Sequence, residues 1–305
     1  MKIISGTENI QLENTIVIIG KFDGIHRGHR KLLDVALKFK TDGLKLVFFT
    51  FDRNPAELVH SRQYKKILTH SELRALELKT AADIVIEYPF TEELRNMSPE
   101  QFSLKILKEK LGAKVVVCGD DFRFGKDRTG NAEILASSGE KYGFEVYPIE
   151  KLSYKGRAIS STYIKECISA GNIDDAEIML GRPYSITGTI EHGRRLGTDL
   201  GFPTANIRVP EKKITPPYGV YAVRMNLDGK LYPGIANLGT APTFHEDTGI
   251  RMLETNLFDL DRNIYGEMAT VFFYKFIRPE RVFENGRELA DEVARNIEEV
   301  KKFLL

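Results

Sequence analysis

The run Ile16-Val17-Ile18-Ile19, passing straight into Gly20-Lys21-Phe22-Asp23-Gly24-Ile25-His26-Arg27-Gly28-His29, constrains the fold of this chain more than any other stretch. Four consecutive β-branched residues predict a strand covered on both faces, as in a parallel sheet. Arg30 to Leu37 then shows helical periodicity. A glycine-punctuated turn between a buried strand and a helix aims backbone N–H groups and the positive end of the helix dipole at one point, where a phosphate can sit. His26 and His29, three residues apart at the helix mouth, can both reach that phosphate. Gly28 between them carries no side chain to hold phosphates away. With Gly20, Phe22, Asp23 and Gly24 they form a candidate nucleotide site. Two histidines so spaced can also ligate a metal, but only Asp23 offers a further ligand nearby.

Through the first half, apolar runs alternate with helical patterns: strands over 44–51, 82–87, 114–118 and 144–149, helices over 71–80, 99–111, 131–142 and 163–170. The alternation predicts a parallel, Rossmann-like sheet with helices on both faces and ligands beyond the carboxyl ends of its strands. Three such ends carry candidate binding residues: Asp52 in Thr50-Phe51-Asp52-Arg53-Asn54-Pro55, Asp121 and Arg123 in Gly119-Asp120-Asp121-Phe122-Arg123-Phe124-Gly125, and Ser160-Ser161-Thr162. Hydroxyls at a helix start are ordinarily caps; beside the histidine turn they read as a second phosphate clamp, with Lys165 adding charge.

The pattern changes near Gly181-Arg182-Pro183-Tyr184, and a domain boundary is expected between Gly171 and Pro183, dividing the chain into 1–180 and 181–305. Alternating segments at 185–190, 220–226, 231–237, 251–258 and 268–277, separated by turn signals, predict a small antiparallel barrel of about six strands. A helix over 288–303 closes the chain. The fold class is therefore α/β plus β. Two features of this half carry chemistry. Gly188, Gly193 and Gly197 lie in a glycine-rich loop that runs into Gly201-Phe202-Pro203-Thr204-Ala205-Asn206, a backbone able to approach a phosphate. Glu254 lies on a strand with Met252, Asn256 and Phe258 on its face, which by itself reads as a solvent-facing residue.

Composition narrows the function classes. A net charge of +1 over 305 residues argues against a general nucleic-acid or membrane-surface binder. Cys118 and Cys167 are far apart and form no C-x-x-C pair, as expected for reduced thiols in a cytoplasmic protein. No stretch reaches the length of a membrane span. A homo-oligomer is compatible with these features.

Gly20–His29, Thr50-Phe51-Asp52, Gly119–Gly125 and Ile159–Thr162 resemble the HxGH nucleotidylyltransferase half of the bacterial bifunctional riboflavin kinase/FMN adenylyltransferases, the prokaryotic FAD synthetases. Gly181–Tyr184, Leu200–Asn206, Asn237–Phe244, Glu254-Thr255 and Ile277–Glu280 resemble their riboflavin kinase half. The resemblance implies a barrel domain that phosphorylates riboflavin with Mg-ATP and a first domain that joins AMP from ATP to FMN, giving FAD and pyrophosphate. It implies that His26 and His29 stabilise charge at the α-phosphate and that Thr204 and Asn206 handle Mg²⁺. It also implies that Glu254 is the general base, with Pro203, Asn237 and the loop glycines at the substrates. Departures from the family pattern fall at Arg53, Asn54, Lys165, Thr198 and Asn256. The alternative is a flavin-binding regulatory protein that kept the fold.

Overall fold

The computed structural model describes residues 2–6, 10–41, 43–52, 64–69, 72–73, 82–192, 204–240 and 249–305. The chain divides into two compact units, 1–161 and 162–305.

The first unit is built on six parallel strands: β1 (Lys2–Ser5), β2 (Thr15–Ile19), β3 (Lys45–Phe51), β4 (Ile84–Tyr88), β5 (Ala113–Gly119) and β6 (Glu145–Ile149). Their order is β1-β4-β3-β2-β5-β6. Successive strands step one way from β2 to β3 and β4, and the other way to β5 and β6. The order therefore reverses between β2 and β5, the crevice where open α/β sheets bind ligands. Residues 16–19 are at most 1% exposed, as their apolar run predicts. Ile16 and Ile18 pack with Leu32 and Ala36 of α1 (Arg27–Leu37) on one face. Val17 and Ile19 pack with Phe102, Ile106 and Leu135 on the other. Burying each such side chain contributes about 1.5–3 kcal/mol.

Local signals set the flanking helices. Ser98 and Gln101 form a reciprocal capping box with Pro99 at the first helical position. The expected helix over 99–111 departs from α geometry: Phe102–Lys110 is π-helical, and Leu111 N–H bonds back five residues to the Ile106 carbonyl. Asn131 caps α2 (Ala132–Tyr142), and Gly143, at φ 78°, ends it. The helix expected over 71–80 lies largely outside the described residues; Glu72 and Leu73 are helical.

The second unit begins with α3 (Ser161–Ser169, whose first residue belongs to the first unit) and α4 (Ile173–Leu180). It continues into β9 (Tyr184–Glu191), β10 (Ala205–Arg208), β11 (Gly219–Leu227), β12 (Lys230–Thr240), β13 (Arg251–Leu257) and β14 (Met268–Pro279). These six strands close into a barrel in the order β10-β13-β12-β11-β14-β9, as the turn-separated pattern predicts. The first unit also carries a two-stranded hairpin, β7 (Ser153–Tyr154) and β8 (Arg157–Ala158). Alternation fills the barrel with Ile186, Ile207, Tyr221, Val223, Leu253 and Phe273, none more than 1% exposed. Buried Arg251 donates to the carbonyls of Pro210, Glu211 and Lys213, tying the loop after β10 to β13. The closing helix α5 (Gly286–Leu304) is capped by Asn285, and Arg224 donates to its Leu304 carbonyl.

Candidate active sites

Beyond the carboxyl ends of β2, β3, β5 and β6 opens a cavity of about 770 Å³. His26 and His29, 6% and 9% exposed, line it at the N-terminus of α1, together with Gly20, Lys21 and Gly28. Their rings are stacked, centroids 3.7 Å apart and 20° from parallel, and Phe22 meets His29 edge-on at 5.1 Å. Ile25, a β-branched residue held at φ 37°, turns the chain into His26; such a conformation persists only where its surroundings enforce it. Burial, then the neighbouring His26, hold the His29 imidazole well below its ordinary pKa, opposed by a hydrogen bond with the Lys21 backbone. His29 Nδ1 is buried without a hydrogen-bond partner among the described residues.

The other predicted residues divide. Ser160 and Ser161 reach the cavity, and Ser161 Oγ donates to the Asp23 carbonyl at 2.7 Å. Asp121 and Arg123 line it too, with Asp121 paired to Lys151. Phe22, Asp23, Gly24 and Asp52 act from behind. Asp23 Oδ1 accepts from the Ile67 and Leu68 backbone at 2.9 and 3.4 Å, and Asp52 Oδ1 from Phe90 N–H at 3.0 Å. Gly24, at φ 95°, packs against Ile67. Thr162 and Lys165 lie further along α3 and do not line the cavity.

The structure adds what the sequence left out. An aromatic wall gathers Phe51, Phe90, Phe102, Phe122 and Phe124, the last two stacked at 5.3 Å and 11°. Arg95 and Arg128 join Arg123 at its edge. Asp127 and Arg128 both hold left-handed backbones, φ 53° and 60°, inside a loop closed by paired Phe124–Gly130 hydrogen bonds. Exposed Phe beside Arg in the 119–125 loop was the only sequence signal for this wall.

In the barrel, register brings distant residues together. Glu254 on β13 lies directly opposite Asn206 on β10 and Asn237 on β12, so the three share one face. Glu191 of β9 stands opposite Asn206 on its other side. Asn237 Nδ2 donates to Glu280 Oε1 at 3.2 Å, so carboxylates and amides alternate across this face. Asn206 Nδ2 donates to the Thr204 carbonyl at 3.3 Å, and its amide oxygen is the atom able to accept or coordinate. Thr204 lines a second cavity, of about 320 Å³, with Ala205, Thr255, Leu257, Leu260 and the 261–265 loop. Gly188 sits elsewhere: a Cβ there would lie 2.6 Å from Ile207 Cγ2, so its role in the structure is close strand packing. Gly193, Gly197 and Pro203 lie outside the described residues, as do Arg53, Asn54 and Thr198.

Residues 8–163 match the family model described as FAD synthetase, and residues 180–304 that described as riboflavin kinase. The chain belongs to the bifunctional riboflavin kinase/FMN adenylyltransferase family. It is 38% identical to the enzyme so named from Buchnera aphidicola of Schizaphis graminum, over 99% of both chains. It is 35% identical to that of Escherichia coli K12, over 97% of this chain and 96% of the other. A crystal structure described as a macrolide-efflux protein from Streptococcus pneumoniae superposes with a TM-score of 0.85 at 29% identity, covering 99% of each chain. No helix among the described residues is long and apolar enough to cross a membrane. The family resemblance and the fold class read from the sequence are both borne out.

Proposed function

We propose that the two units divide a two-step synthesis of FAD. The barrel unit, residues 181–305 with their supporting helices, phosphorylates riboflavin to FMN; the parallel-sheet unit, within residues 1–180, adenylylates FMN to FAD. The observation that carries this reading is the pairing of two family models with two separate sites, each built around the residues its chemistry needs.

In the first unit, the triphosphate of ATP lies across the α1 N-terminus between His26, His29 and the Ser160–Ser161 hydroxyls. A phosphate oxygen of FMN attacks the α-phosphorus in line, the α–β bridging bond breaks, and pyrophosphate leaves. The imidazoles contribute by donating hydrogen bonds to the oxygens that gain charge, a task for positioned donors in a closed site. Burial and the neighbouring His26 keep the proton affinity of His29 low, and an anionic triphosphate beside the imidazoles would oppose that shift. The phenylalanine wall supports the flat flavin ring by stacking, and the arginines face anionic or carbonyl oxygens.

In the barrel, the ribityl 5′-hydroxyl attacks the γ-phosphorus of ATP while Glu254 accepts its proton and ADP departs. Thr204 and Asn206 offer hard oxygen donors and suit Mg²⁺, which keeps water and phosphate in most of its positions. When bound, Mg²⁺ would neutralise developing phosphate charge. The 320 Å³ cavity beside Thr204 receives the nucleotide. A flavin-binding regulator would need neither set of residues, and none of the relatives named above is described as one.

A chromatographic time course with riboflavin, ATP and Mg²⁺ tests the scheme. FMN rising first and FAD following is the expected result, with both absent under EDTA. FMN without FAD, repeated from FMN as starting substrate, overturns the assignment of the first unit. Neither product overturns both.

A further inference from the structure

Thr255 follows Glu254 on β13 and, by alternation, turns to the opposite face, into the barrel. Its cross-strand neighbours are Ala205 on β10 and Ala236 on β12. The residue is 0% exposed, and its Oγ1 has no hydrogen-bond partner among the described residues. Methyl-bearing neighbours offer none. A buried hydroxyl left unpaired opposes folding, and valine has the same shape and a strand preference at least as strong. Among the described residues, then, nothing in the fold uses this oxygen.

The oxygen belongs to a residue that lines the 320 Å³ cavity. Ala205, Leu257, Leu260, Ile264 and the Tyr265 ring give the lining its apolar surface, beside the polar groups of Thr204 and Asn263, with His192 stacked on Tyr265 at 3.8 Å. Arg262 is the one cation among the described lining residues, and Glu267 already holds it through both guanidinium nitrogens. Asp261 adds negative charge. Away from Thr204, which with Asn206 would hold the phosphate-bound ion, such a lining suits a flat, uncharged ring with hydrogen-bonding edges. We propose that Thr255 is a nucleotide-recognition residue of the kinase unit, its hydroxyl hydrogen-bonding the purine base of ATP. This rests on the reading of the cavity as the ATP site of that unit.

The test is Thr255→Val in the full chain, with Thr255→Ser and the cavity-filling Leu260→Trp beside it. Thr255→Val should fold with an unchanged or raised urea midpoint, and raise the ATP KM of riboflavin phosphorylation about three- to tenfold, the worth of one neutral hydrogen bond. Its riboflavin KM and its rate of FMN adenylylation should stay as in the parent, and Thr255→Ser should keep the parental ATP KM. Leu260→Trp should raise the ATP KM further. An unchanged ATP KM in Thr255→Val, with Leu260→Trp impaired, overturns the role of Thr255 alone. A folded Leu260→Trp with parental ATP KM overturns the cavity reading and the proposal together. A lowered urea midpoint with both substrate KM values altered in Thr255→Val would show a packing role instead.

Discussion

His26 and His29 stack with their ring centroids 3.7 Å apart, so a proton on one imidazole opposes a proton on the other. Burial acts in the same direction and is the larger cause of the lowered His29 pKa. The unfolded chain, with a histidine near 6.5, therefore binds more protons than the folded one below that pH. His29 thus leaves the fold fully stable above about pH 6.5 and weakens it as pH falls from there toward the folded-state pKa. Urea unfolding of the first unit at pH 7.5 and 5.5 should show this loss, and His29→Asn should lessen it. A pH response identical in parent and variant would contradict the assignment.

Gly28 occupies the second position of α1, where alanine is better by about 1 kcal/mol in helix propensity. Yet a Cβ there would stand 3.1 Å from His26 Cε1 and Nδ1. Gly28→Ala should keep or raise the unfolding midpoint while cutting kcat/KM for FAD formation roughly tenfold, because small displacements of a positioned group are costly. Riboflavin phosphorylation should be untouched. Parental FAD formation would show that the imidazole has room to move.

Asp23 looks like a ligand residue by its place in the motif, but its carboxylate holds the backbone of Ile67 and Leu68. Asp23→Ala should cost about 1–3 kcal/mol of stability, the penalty for stranding partly buried N–H donors. Asp23→Asn, which keeps one acceptor oxygen, should recover most of it. Equal midpoints for the parent and the alanine variant, by urea titration, would contradict this.

What the sequence made legible follows from range. Ile16–His29 is contiguous, so strand, turn and helix mouth could be placed on one another before any coordinates. The alignment of Asn206, Glu254 and Asn237 depends on the register of three strands far apart in sequence, and the residues identify it only through family resemblance. Strand β10 is four residues long inside a motif that reads as loop, and β1 is equally short, so neither shows a period. The widened Phe102–Lys110 helix keeps a helical apolar pattern, and nothing in its residue types distinguishes five-residue from four-residue bonding. Thr255 reads as an ordinary strand threonine; what marks it is the lack of a hydroxyl partner among the described residues.

Division of labour between the two units is the central claim, and a complementation assay tests it most directly. Full-length His29→Ala and Glu254→Ala would be supplied with riboflavin, ATP and Mg²⁺, separately and mixed, with FMN and FAD followed by chromatography. His29→Ala should accumulate FMN with FAD formation down at least about 100-fold, the scale for loss of a charge-stabilising donor. Glu254→Ala should form FMN about 100-fold or more slowly, as for a lost general base, yet convert supplied FMN to FAD at the parental rate. The mixture should make FAD from riboflavin. A folded variant lacking both activities, or a His29→Ala chain that forms FAD as the parent does, would contradict the account.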